Sequence, residues 1–481
     1  MAICITFGTQ EFSSRLEGYE QVRAFCYNCK SQRHCTHRKH ILTRCRTGGN
    51  WDGHCESRWS WITICFLPVI PLSTHKYKEV RCGRCGFTQD LSIRPDITPA
   101  TRPPPGASWG PAYGHPPQQY SQPYTGPQPP PPAGQQHPTP PFGKMTHPRT
   151  RDFIIHPSPT PTAYHIFFLP GNPGLVEYYA GFLQSLHQSL NSTASSKFHV
   201  AGYSFGGNKH TIVNDGLHSI TEQTDLALEK LRQYIADQGE EEAKEQSTQI
   251  NERPKVILLG HSFGTFVTTE MIKRISSERF REKYEIIGNV LLFPPIPDLE
   301  KSPRGTRVAS LARWKYLPNV CSFLARAVYS LPLVWANAVI KHFTAFPPDA
   351  LETTRAFFGS KTGVAQALYM ARLEIDEIKL SRWESAFQYT SKLTPTPRIR
   401  IFFGKNDYWV CDELRDAFVY KYCDATGPKA FGRDLDITAE IDPSDDGDEA
   451  SVMIPHDFSI RHSEHVIPYV ARFIEDIINH E

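Results

Sequence analysis

One pentapeptide constrains this chain more than any other feature. Gly260-His261-Ser262-Phe263-Gly264 lies between an apolar run, Val256-Ile257-Leu258-Leu259, and a helical pattern from Thr265 to about Ile275. A serine between a strand and a helix must sit on a sharp, strained turn, and glycines on both sides remove side chains that would clash there. The hydroxyl then stands clear at the end of a sheet, and the first N–H groups of the following helix face any negative charge that develops beside it. The alternative is a glycine-rich strand-to-helix turn whose serine is structural.

The surrounding pattern suits the first reading. From about Arg151 to the end, apolar runs alternate with helical periodicity, which predicts an α/β domain over 151–481 with a mostly parallel sheet covered by helices. Strands are expected at Tyr164–Leu169, Phe198–Tyr203, the run into Ser262, Ile286–Phe293, Arg398–Phe403 and Ala450–Ile454. Residues His218 to about Gln238 carry Ala227, Leu228, Leu231, Tyr234 and Ile235 at helical spacing, and a last helix puts Val466, Val470, Phe473, Ile474 and Ile477 on one face. Between Asp298 and about Thr394 the pattern is helical and irregular, as expected of a cap over the sheet. Asp434 to Glu449 reads as a solvated acidic insertion without the ligand spacing of a calcium loop.

A serine hydroxyl needs a base to take its proton and a carboxylate to hold that base in the right tautomer. In a strand–G-x-S-x-G–helix protein the chain order is Ser, then Asp or Glu, then His. Asp407 follows the Arg398–Phe403 strand through Gly404-Lys405-Asn406, where a loop carboxylate can reach the serine's end of the sheet. Asp298, after Pro294-Pro295-Ile296-Pro297, is the rival. His456 follows the last expected strand and is the expected base. His462 and His465 read as surface residues and His261 as a packing residue. An oxyanion needs two donors: the Phe263 N–H supplies one, and the loop Pro170-Gly171-Asn172-Pro173-Gly174 the other. Pro173 has no N–H to give, so Asn172 is the candidate.

The stretches that carry these residues resemble a known family. Phe168-Leu169-Pro170-Gly171-Asn172-Pro173-Gly174 with Tyr178-Tyr179, the pentapeptide, Phe402-Phe403-Gly404-Lys405-Asn406-Asp407-Tyr408-Trp409 and Pro455-His456-Asp457-Phe458 are similar to the lipid droplet-associated hydrolases, a branch of the α/β-hydrolase fold. The resemblance implies a Ser262–Asp407–His456 triad, no cofactor for catalysis, and a carboxylic ester hydrolase acting on lipid esters, sterol esters among them. It also implies a role in lipid storage or turnover at the cytosolic face of lipid droplets, with the endoplasmic reticulum membrane as a second location. The competing reading is a weakly active or non-enzymatic droplet interaction protein that keeps the fold. From Tyr316 to Ile340 the only charge is Arg326, and Pro318 and Pro332 break the run. Two short apolar arms of this kind suit a lipid monolayer or a cap core, not a spanning helix.

The N-terminal third is of a different kind. Nine of the 12 cysteines lie in the first 85 residues, and Met1–Glu20 lacks a basic region followed by a long apolar core. The expectation is a cytosolic setting without a secretory signal, where clustered cysteines favour metal over disulfides. Cys26-x-x-Cys29 and Cys82-x-x-Cys85 can close a tetrahedral zinc site, each pair placing two sulfurs on one tight turn. Phe25 to Cys29, the apolar Trp61–Leu72 stretch and Tyr77 to Phe87 resemble a fungal zinc-ribbon family, which suggests a zinc-ribbon-like domain over 1–95. The departure is the stretch from about Arg33 to His54, which reads as an insert rich in His and Cys. Residues 96–150, with Pro103-Pro104-Pro105 and Pro129 to Pro132, cannot bury enough apolar surface to order themselves and read as a disordered proline-rich linker. Either segment could dock a protein partner. The net charge of +2 gives no general attraction to nucleic acid.

Overall fold

The computed structural model describes residues 7–26, 50–64, 67–71, 76–82, 88–103, 153–158, 164–193, 197–207, 216–245, 253–277, 283–344, 346–405, 407–424, 426–427, 435–443 and 454–480. The chain divides into two compact units, a smaller N-terminal one and a larger one that holds residues 146–481.

The smaller unit is a six-stranded sheet built from β1 (Phe7–Arg15), β2 (Ala24–Cys26), β3 (Asn50–Ile64), β4 (Leu67–Pro71), β5 (Tyr77–Cys82) and β6 (Thr88–Asp90). β3 is its centre and pairs with β2 and β4 as well as with β1 and β5. The sequence reading assigned residues up to His54 to an insert, and the structure corrects this. Gly53 pairs with Ala24 on one side and Cys82 on the other. A Cβ at Gly53 would lie 2.8 Å from the Ala24 carbonyl oxygen, so the sheet closes there only over glycine. Leu16, Val22, Ala24, Cys55, Val80 and Ile97 form the core, which therefore extends two residues beyond Pro95. The buried Arg94 fixes that end of the chain through Asp96 (2.8 Å), Gln89 (2.9 Å) and the Phe25 carbonyl (3.2 Å). The linker from 104 to 150 lies outside the described residues.

The larger unit is built on a seven-stranded sheet: β7 (Phe153–His156), β8 (Tyr164–Leu169), β9 (Phe198–Tyr203), β10 (Lys255–His261), β11 (Glu285–Leu292), β12 (Arg398–Phe403) and β13 (Ile437–Ile441). Their spatial order is β13-β12-β11-β10-β8-β9-β7. All neighbours are parallel except the edge pair β7–β9. α1 (Ala180–Thr193) follows β8, α2 (Ile220–Glu245) follows β9 and α3 (Phe263–Ser277) follows β10.

Between β11 and β12 the chain forms a helical cap: α4 (Gly305–Ala312), α5 (Leu317–Tyr329), α6 (Leu333–Thr344), α7 (Pro348–Gly359), α8 (Gly363–Glu377) and α9 (Leu380–Thr390). α10 (Asp412–Phe418), α11 (Phe458–Arg461) and α12 (Ser463–Asn479) complete the unit. α2 and α3 bury Leu231, Phe266 and Met271 against Phe167, Leu258 and Ile401 on one face of the sheet. On the other, Gly202 and Gly288 stand where a Cβ would meet Leu183 of α1 (2.7 Å) and Ile477 of α12 (2.7 Å). The face of α12 expected from its spacing, Val466 to Ile477, is the buried one.

One expectation fails at the edge of the sheet. The last strand among the described residues is β13, inside the segment read as a solvated acidic insertion. Ile437 and Ile441 pair with Ile399 and Phe403, and the acidic Asp436 just before them binds the buried Arg400 at 2.9 Å. The expected strand 450–454 falls outside the described residues up to Met453, and Ile454 is not in a strand. Its N–H donates to the buried Asp442 carboxylate at 2.9 Å. That bond ties the loop before His456 to the end of β13.

The topology fixes where chemistry can occur. The chain runs outward from β8 to β9, then returns to β10 on the other side of β8. The loops after β8 and β10 therefore diverge at one point on the C-terminal edge, the usual place for a ligand crevice in a parallel sheet.

Candidate active site

Ser262 stands between β10 and α3 with φ = 49°, in the left-handed region that a serine rarely adopts. The turn is locked from both sides. Its N–H donates to the Leu292 carbonyl of β11 at 2.9 Å, and the Thr265 hydroxyl and N–H both donate to the Ser262 carbonyl. The two glycines are required by contact. A Cβ on Gly264 would lie 2.3 Å from the Leu169 carbonyl oxygen, and one on Gly260 would lie 2.7 Å from the backbone of Gly264. β10 and α3 pass each other at a distance that only glycine allows.

Three residues far apart in sequence meet at this turn. His456 Nε2 lies 2.9 Å from Ser262 Oγ, and His456 Nδ1 lies 2.7 Å from Asp407 Oδ2. Asp407, on the loop after β12, also accepts the Trp409 N–H at 2.9 Å on its other oxygen. An anionic carboxylate can only accept, so Nδ1 carries the proton and Nε2 presents a lone pair to the serine O–H. All three side chains are buried, with Ser262 8% exposed. Asp298, the rival carboxylate, is engaged elsewhere. It caps the turn after it through the Glu300 N–H and pairs with Lys379 at 2.9 Å. His462 and His465 are partly exposed near the start of α12 and, with Glu464, bring their ligand atoms within 4.8 Å of one another.

The loop after β8 lies against the serine. A Cβ on Gly171 would be 3.0 Å from Ser262 Cβ. The Gly171 N–H donates to the Tyr179 hydroxyl (3.1 Å), and Gly174 N–H closes the turn onto the Gly171 carbonyl (2.8 Å). The Tyr179 hydroxyl also hydrogen-bonds with His261 Nδ1, 2.7 Å away. Burial holds the pKa of His261 well below the ordinary histidine range, and the neighbouring His456 adds to the effect. A neutral His261, its ring 5.0 Å from that of His456, keeps a competing positive charge away from the base.

Asn172, the expected second donor, is held by its side chain. Its Nδ2 donates to Glu374 Oε1 at 2.8 Å and to the Ala367 carbonyl at 3.0 Å, both on α8 of the cap. Burial pushes the Glu374 carboxyl up to about 7, with the Asn172 hydrogen bond pulling the other way. Phe263, the expected first donor, opens α3, with its side chain fully buried against Phe205.

Tyr179, Phe293, Glu374 and Phe458 were given no role in the sequence reading. Phe293 follows β11 at φ = 50°, and its ring stacks on Phe458 at 5.5 Å and lies 5.6 Å from that of His456. The two aromatics wall the base.

Of the four cysteines expected to bind zinc, Cys26 and Cys82 are described, buried and free of disulfides. They end β2 and β5, which flank β3 and run in the same direction, so both chains leave the sheet at one end. Cys29 and Cys85 lie outside the described residues.

Comparison with known proteins gives a consistent set. The family model described as lipid-droplet associated hydrolase matches residues 162–440. The lipid droplet-associated hydrolase of Dictyostelium discoideum is 26% identical over 332 residues, covering 68% of this chain and 92% of the relative. The Gallus gallus protein of that name is 28% identical over 248 residues, covering 50% and 69%. The Homo sapiens protein is 26% identical over 252 residues, covering 51% and 70%.

Proposed function

The chain belongs to the lipid droplet-associated hydrolase family, and we propose that it is a serine ester hydrolase acting on lipid esters at a droplet surface. The observation that carries this reading is the unbroken hydrogen-bonded chain from Ser262 Oγ through His456 to Asp407. His456 Nε2 takes the Ser262 proton as Oγ attacks the ester carbonyl carbon. The carbonyl oxygen becomes an oxyanion, which the Phe263 and Asn172 backbone N–H groups receive. As the tetrahedral adduct collapses, His456 gives its proton to the departing alcohol, leaving an acyl group on Ser262. Water, deprotonated by His456, then attacks that acyl carbon. The acid departs and the proton returns to Oγ. Asp407 holds the imidazole tautomer and steadies its positive charge throughout. Sterol esters are one substrate class within this reading. Incubating the full-length protein with a fluorophosphonate probe is expected to give an adduct on Ser262, located by peptide mass spectrometry, and little adduct in His456→Ala. A folded wild-type protein unlabelled at Ser262 would contradict the reading.

The cap supports the droplet assignment. On the α5–α6 hairpin, Phe323 is 72% exposed, Leu333 55%, Val334 78% and Trp335 67%. The opposite face of the same helices is buried through Leu317, Cys321, Ala325, Ala336 and Ile340. A helix pair apolar on both sides has one side to spare for a lipid phase. Among the described residues no helix is long and apolar enough to cross a membrane. The endoplasmic reticulum surface offers the same interfacial chemistry.

In the N-terminal unit, Cys26, Cys29, Cys82 and Cys85 would hold one zinc ion, which would supply folding stability. Native mass spectrometry of protein made in zinc-supplied medium is expected to show one zinc per chain, lost in the Cys26→Ser/Cys82→Ser double variant. A metal-free wild type would dismiss the site.

A further inference from the structure

We infer that Glu374 is a positioning residue for the oxyanion hole, acting through the Asn172 side chain from helix α8 of the cap. The inference rests on the hydrolase reading above and deepens it. The loop that supplies the second oxyanion donor is anchored at both ends. Gly171 is held by the Tyr179 hydroxyl (3.1 Å), and Gly174 accepts the Phe205 N–H (2.8 Å). Asn172 lies between them, and Pro173 beside it has no N–H with which to tie the loop down. What fixes Asn172 is its side-chain amide, both of whose hydrogens are taken by α8: one by the Ala367 carbonyl (3.0 Å), the other by Glu374 (2.8 Å). The direction of the Asn172 backbone N–H is set by that grip.

The identity of residue 374 points to a hydrogen-bonding role rather than to packing. Glu374 is 3% exposed, and its carboxylate accepts a hydrogen bond from Asn172. A leucine or methionine would fill the same space without the cost of burying a carboxyl group. Of the other buried positions on α8, Val364, Ala367, Leu368, Met370, Ala371 and Ile375 are apolar, and the polar Gln366 is held by hydrogen bonds to the His218 backbone, so a buried polar group on this helix goes with a specific partner. The burial that lifts the Glu374 carboxyl toward neutrality leaves its accepting oxygen in place in either protonation state. Glutamine therefore preserves the contact, and leucine abolishes it.

The test uses the full-length protein and a soluble short-chain ester, with Ser262→Ala run alongside. Glu374→Gln is expected to keep kcat within about 3-fold of wild type. Glu374→Leu is expected to lower kcat by about 10–100-fold with little change in KM, because a misaimed donor weakens transition-state contacts and not ground-state binding. Asn172→Ala, which keeps the backbone N–H but loses the grip, is expected to show the same loss. The double variant Asn172→Ala/Glu374→Leu is expected to lose no more than either single one, since both remove one interaction. If Glu374→Leu fails to fold, the contrast between Asn172→Ala and Glu374→Gln decides. Equal kcat in Asn172→Ala and wild type, or a Glu374→Gln variant as slow as Asn172→Ala, would overturn the inference. Turnover that survives Ser262→Ala would instead strike down the hydrolase reading on which it rests.

Discussion

Replacing Ser262 with alanine is expected to lower kcat for ester hydrolysis by about 10⁴–10⁶-fold, with the melting temperature close to that of the wild type. The large effect follows from removing the nucleophile on which the acyl group would be carried. The small effect on folding follows from the elbow itself. Its geometry is held by the Leu292 carbonyl, by Thr265 and by the close passage at Gly260 and Gly264, none of which uses the serine hydroxyl. His456→Ala is expected to cost nearly as much. Combining it with Ser262→Ala should add little, because serine and base act as one unit. Kinetics of the three variants on a soluble ester check this, and additive losses would argue against a shared proton-transfer step.

Substituting Phe323, Val334 and Trp335 together by serine is expected to release the protein from a lipid surface while leaving soluble-ester turnover intact. Each side chain is more than two-thirds exposed, so folding does not depend on burying it. Burying side chains of this size contributes about 1.5–3 kcal/mol each, and losing three should reduce partitioning by about 10³-fold or more. Flotation with phospholipid-coated triacylglycerol emulsions measures this directly. Binding that survives the triple substitution would place the lipid contact elsewhere on the chain.

The local parts of the site were legible in the sequence because each has a local cause. The elbow needs glycines within a strand-to-helix turn. Asp407 and His456 stand after late segments in the chain order that such a sheet demands. The parts that were not legible depend on tertiary contact. Glu374 lies in Arg372-Leu373-Glu374-Ile375-Asp376-Glu377, where it looks like one more solvent-facing charge. Only the docking of α8 onto the Asn172 loop buries it. β13 was hidden by the acids around it. The alternation of Ile437, Ala439 and Ile441 was the available clue, and the partner that neutralises Asp436, Arg400, lies 36 residues away. Asn50–His54 looked like the tail of a histidine-rich insert because the pairing of Gly53 with both Ala24 and Cys82 is visible only across strands. Phe293 gave no sign of its positive φ, since the conformation is imposed by its N–H bond to the Phe402 carbonyl at 2.8 Å.

The most direct test of the central claim is acid release from long-chain esters at a lipid interface. Triacylglycerol and sterol esters would be presented in phospholipid-coated emulsions to the full-length wild type and to Ser262→Ala. The account predicts fatty acid release by the wild type that is absent in the variant, with both proteins bound equally to the emulsion. A folded, emulsion-bound wild type that releases no more acid than Ser262→Ala from any ester would contradict the hydrolase, and the droplet interaction protein would take its place.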